Sequence, residues 1–170
     1  MSSSVIKRLA EEGVLSQTSQ PRAERTTKTS ISDYSLITPY KLTSTQQSIA
    51  DNIDSLSNCF GVHLIDGITG SGKTEVYFDQ VIKQLNCGRQ VLILLPEIAL
   101  TSSWKARFEK WFGQEPSIWH SSVPSARRKL IWRQAISGQP MVVAGARSAL
   151  FLPFSQLSLI VIDEEHDGSY

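Results

Sequence analysis

The sequence predicts an α/β domain built on a mostly parallel sheet, and three observations predict it. Short unbroken apolar runs, QVLILLP (90–96), MVVAG (141–145) and LSLIVID (157–163), have the composition of strands covered on both faces. Segments of helical periodicity and useful length separate them. A glycine-rich loop, GITGSGKT (67–74), falls between a strand candidate and a helix candidate. Strands alternating with helices in this way imply right-handed crossovers on a parallel sheet.

The elements follow in order. SSSVIKRLAEEG (2–13) has a serine cap, helical spacing of Val5, Ile6 and Leu9, and a glycine stop, which predicts a short helix before a possible strand at Val14-Leu15. One helix and one strand bury little, so residues 1–15 read as the end of something larger, and the Ser/Thr-rich stretch 16–40 reads as a linker. The main domain is 41–170. LTSTQQSIADNIDSL offers Thr43 or Ser44 as N-cap with Gln46 or Gln47 three residues on, and Ile49, Ile53 and Leu56 on one face of a helix. FGVHLID (60–66) predicts a strand leading into the glycine loop, and Lys73 to Asn86 predicts a helix ended by Gly88. A helix through Leu100, Trp104, Phe108 and Trp111 stops at Gly113, and its aromatic stripe is expected to be core. SIWH (117–120) predicts a short strand, and PSARRKLIWRQAIS a helix from Pro124 to Gly138. His63, on a strand, and His120, at a strand end, are expected to pack and not to react.

Composition narrows the class. Hydrophobic residues are 41% and charged residues 19%, the balance of a folded soluble chain, with a formal net charge of +1. Charge is segregated: seven bases stand against two acids between Thr101 and Arg133, and the last eight residues hold four acids and no base. A polyanion-binding face beside a metal site and a plain solvated helix face both fit. Cys59 and Cys87 form neither a disulfide framework nor a zinc pattern. No apolar run reaches membrane-spanning length and the N-terminus is no signal peptide, so a cytoplasmic protein without membrane contact is expected.

The chemistry concentrates in two places. Gly67, Ile68, Thr69, Gly70, Ser71, Gly72, Lys73 and Thr74 satisfy the phosphate-loop pattern. Phosphate oxygens must approach several backbone N–H groups together, which needs a loop without obstructing side chains and a helix start behind it. Lys73 brings a point charge to the terminal phosphates, and the Thr74 hydroxyl can ligate Mg²⁺. About 90 residues on, LIVIDEEHD places Asp163 at the carboxyl end of a strand to hold Mg²⁺, with Glu164 next to it to orient and deprotonate an attacking water. The bound species implied are ATP and Mg²⁺.

Asp163-Glu164-Glu165-His166 is the DExH form of helicase motif II. Together with GITGSGKTEVY, LPEIALT (95–101), GARSALFLPF (145–154) and VIDEEHDGSY (161–170), in this order, the chain resembles the PriA family of replication-restart helicases (primosomal protein N′), in helicase superfamily 2. The segment 2–15 resembles the end of that family's winged-helix domain. The resemblance implies a RecA-like first lobe (41–170) of a 3′-to-5′ DNA helicase that acts on forked or single-stranded DNA with other primosome proteins and single-stranded-DNA-binding protein. It implies catalytic roles for Lys73, Asp163 and Glu164. Gln46 would read adenine, with a capping-box role the alternative. Thr101, Arg147 and Ser148 would contact the DNA backbone, with an ion pair the alternative for Arg147. His166 would couple the nucleotide site to DNA or to a second lobe, with a buried hydrogen-bonded histidine the alternative.

The chain ends after motif II, so the family's second lobe, its arginine finger and its zinc-binding cysteines lie outside it. The expectation is slow ATP hydrolysis, no unwinding, and an unpaired sheet edge. The alternatives are a catalytically silent nucleotide- or DNA-binding module and a lobe of another superfamily 2 translocase.

Overall fold

In a computed structural model, residues 41–55, 60–68, 70–96 and 101–164 are described. The expected elements in 1–40, together with Thr69, Glu165 and His166, lie outside the described residues. The apolar runs form a parallel sheet: β1 (Gln90–Leu94), β3 (Met141–Gly145) and β4 (Leu157–Ile162), with β2 (Ser117–Trp119) the short strand. The order is β2-β3-β1-β4. Leu92 stands opposite Val143 on one side and Ile160 on the other. β1 and β3, the two inner strands, are buried at every position.

Among the described residues are four α-helices, α1 (Ser44–Ser55), α2 (Lys73–Asn86), α3 (Ser102–Phe112) and α4 (Ser125–Ser137), with α1 packed on α2. Each α3 end has a local cause. The Thr101 side chain accepts from the Trp104 amide at one end, and Gly113 takes the left-handed conformation at the other. One face of the sheet is covered by α2 and α3, where Phe78 meets Trp104, Phe108, Trp111 and Phe112 edge-on, with Val91, Ile93, Val142 and Ala144 beneath. The aromatic stripe is core, as expected. On the opposite face Ile131 and Ala135 of α4 pack on Leu92, Leu94, Met141 and Val143.

Two polar ties fix the layers. The buried Gln90 side chain donates to the Ala135 and Gln139 carbonyls and accepts from the Gln156 amide, linking β1, the end of α4 and the entry to β4. Lys83 of α2 pairs with Asp79 and with Asp54 of α1, at 2.7 and 2.6 Å. Partial burial works to lower the Lys83 pKa, but the hydrogen bonds it donates to Asp54 and Asp79, and their charge, outweigh it and hold the lysine above its ordinary range.

Three expectations fail. β4, expected to be covered on both faces, is exposed or half-buried at every position, because no described strand pairs with its outer edge. Residues 60–66 form no strand, and Phe60, Val62 and Leu64 are 93%, 86% and 78% exposed. An alternating apolar pattern supplies a strand's side chains but not its hydrogen-bonding neighbour, and none of the described strands pairs with this segment. His63, in the same stretch, is exposed and does not pack. His120 behaves as expected: half-buried beyond β2, its Nδ1 accepts from the Ser122 amide.

Candidate nucleotide site

The glycine loop turns into α2 without a side-chain cap, so the first amides of that helix face the loop with no capping oxygen. Gly70 and Gly72 both lie in the left-handed region, at φ 80° and 86°. At Gly72 crowding adds to this, since a Cβ there would stand 2.2 Å from the Gln46 amide nitrogen. The Ser71 amide donates to the Ile68 carbonyl, and the Lys73 ammonium folds back to donate to the Gly67 and Ile68 carbonyls. The lysine is thus held across the loop by two backbone carbonyls.

Gln46 does two things at once. Its Oε1 accepts from the Thr43 amide (2.9 Å) and hydroxyl while its own amide donates to Thr43 Oγ1, a reciprocal capping box with Thr43 as the N-cap. Its Nε2 donates to the Gly72 carbonyl at 3.2 Å, which ties the start of α1 to the glycine loop.

The acids arrive from the sheet. The Asp163 amide donates to the Leu94 carbonyl, continuing the β1–β4 ladder one step past β4. Glu164 follows in the left-handed region (φ 54°), an uncommon position for a residue with a side chain, and its amide donates to Asp163 Oδ1 at 3.1 Å. Asp163 Oδ2 accepts from the Tyr77 hydroxyl at 2.9 Å. Tyr77 stands one turn beyond Thr74 on α2, so this bond brings the β4 carboxylate to the helix that the glycine loop opens. Burial raises the Tyr77 pKa far above the ordinary tyrosine range, the Asp163 charge raises it further, and hydrogen bonds from Trp104 and Thr74 oppose the rise. The hydroxyl stays protonated and donates.

The other expected contact residues take part in none of these hydrogen bonds. Thr101 caps α3 and shares a hydrogen bond with the Ser103 hydroxyl. Arg147 and Ser148 are exposed at the start of a 3₁₀ segment (Arg147–Phe151) after β3, and no described residue forms an ion pair with Arg147. Sequence reasoning missed Tyr77. Its signal was the three-residue step from Thr74, which places both side chains on one face of α2.

The model for the DEAD/DEAH box helicase family matches residues 43–169. The chain is 58% identical over 107 residues to replication restart protein PriA of Rickettsia felis, covering 63% of this chain and 16% of that protein. It is 46% identical over 125 residues to PriA of Haemophilus influenzae (74% and 17%), and 35% identical over 175 residues to PriA of Bacillus subtilis (99% and 21%). The chain therefore spans about a fifth or less of the length of these curated relatives.

Proposed function

The chain belongs to the DEAD/DEAH box helicase family, and on that premise we propose that it binds ATP and Mg²⁺ between its glycine loop and the β4 acids, as the first lobe of a 3′-to-5′ replication-restart DNA helicase. The observation that carries this is the Tyr77–Asp163 bond, which joins the strand-end carboxylate to the phosphate-loop helix.

The donor chemistry fits the metal. Thr74 and Asp163 both approach the Tyr77 hydroxyl, and an alcohol with a carboxylate is a hard-oxygen set suited to Mg²⁺. Bound there, Mg²⁺ would neutralise charge on the phosphate oxygens. The amides of residues 70–74 would cradle the phosphates, and Lys73 would exchange the Gly67 and Ile68 carbonyls for terminal phosphate oxygens. Glu164, held on a turned backbone beside Asp163, would orient the attacking water and take its proton. Gln46 would face the adenine while its cap holds α1 in place.

On the DNA side, Thr101, Arg147 and Ser148 would contact the backbone of forked or single-stranded DNA, and His166 would couple that contact to the nucleotide. The partners proposed are other primosome proteins and single-stranded-DNA-binding protein, in the cytoplasm.

Titration with a fluorescent ATP analogue tests the nucleotide site. Lys73→Ala is expected to weaken binding at least tenfold, about 1.4 kcal/mol. Equal affinity in the two proteins contradicts the assignment.

A further inference from the structure

We propose that Tyr77, backed by Trp104, is a positioning residue that aims the Asp163 carboxylate at the metal of the nucleotide site; this rests on the nucleotide-site assignment above. Three contacts carry it. The Tyr77 hydroxyl has one proton, and it goes to Asp163 Oδ2 at 2.9 Å. The Tyr77 hydroxyl oxygen in turn accepts from the Trp104 indole N–H at 3.1 Å, so the tyrosine ring cannot swing away without leaving a buried donor unpaired. The second carboxylate oxygen accepts from the Glu164 amide, so the two bonds together set the plane of the carboxylate.

The surroundings make this a fixed arrangement. Tyr77 and Trp104 are 6% and 9% exposed, and both rings pack edge-on against Phe78. Three elements thereby meet at one oxygen: α2, which carries Thr74, α3, which carries Trp104, and the end of β4. A phenylalanine at position 77 would fill the same space and pack equally well. The hydroxyl is therefore needed for direction, not for volume. Carboxylates that hold metals are commonly aimed by such outer hydrogen bonds, whose loss typically costs 10–100-fold in metal affinity.

The test measures a fluorescent ADP analogue binding to the full chain in Mg²⁺ and in EDTA, and takes the ratio of the two dissociation constants. Tyr77→Phe is expected to leave the EDTA value within about twofold and to shrink the Mg²⁺ advantage about tenfold. Because that variant orphans the Trp104 N–H, Tyr77→Phe/Trp104→Phe is measured beside it, and the same shrunken ratio is expected. A ratio within twofold of the unaltered chain in both variants overturns the proposal. So does equal weakening in Mg²⁺ and EDTA, the signature of a merely structural role. Lys73→Ala reports separately on the underlying assignment: it should weaken binding in both conditions, and if it weakens neither, the nucleotide site itself is refuted.

Discussion

β1 and β4 are neighbours with nearly the same composition, QVLIL against LSLIVI, yet one is buried throughout and the other is open. β1 has a strand on each side and helices over both faces. β4 is paired along one edge only among the described residues, and Ile160 and Ile162 are 45% and 52% exposed. The segment 60–66 carries the contrast further, being apolar, alternating and almost fully exposed. An apolar run states that a segment needs cover; only its neighbours decide whether it has any. Each open segment also leads directly into a motif, the acids following β4 and the glycine loop following 60–66.

Substitutions on the two sides should therefore differ sharply. The largest effect is expected at Phe78, fully buried against five other aromatic rings, where Phe78→Ala should cost about 3–5 kcal/mol by urea denaturation. A loss of under about 1 kcal/mol would show that the α2–α3 face is looser than this packing implies. Next comes Gly145 at the end of β3, where an added Cβ would stand 2.2 Å from the Trp119 carbonyl oxygen. Gly145→Ala must push β2 and β3 apart, for an expected loss of about 1–3 kcal/mol in the same assay. Gln90→Leu should cost about 1–3 kcal/mol, because it strips hydrogen bonds from buried carbonyls at the end of α4. At the small end, Ile160→Thr on β4 should change stability by no more than about 0.5 kcal/mol. A large cost there would mean that β4 is covered in solution, and the contrast would disappear.

The sequence made the covered half of the fold legible. The runs at 90–94 and 141–145 and the caps at Thr101 and Gly113 each carry their signal within a few residues. The segment 60–66 was misjudged because pairing is a long-range property that alternation alone does not encode. At the site, the glycine loop and Asp163-Glu164 were legible as motifs, since phosphate binding leaves little choice of residue. The bond from Gln46 to Gly72 and the contact between Tyr77 and Asp163 were not, because they depend on where α1 and β4 come to rest, 26 and 86 residues away from their partners.

The proposed nucleotide site requires the glycine loop and the β4 acids to hold one metal–nucleotide complex. Fe²⁺ substituted for Mg²⁺ with bound nucleotide, followed by peroxide, generates hydroxyl radicals that cut the backbone nearest the metal. Two clusters of cuts are expected, around Gly72–Thr74 and around Asp163–Glu164, both lost in Asp163→Asn. Cutting at one of these segments and not at the other would contradict the proposed site.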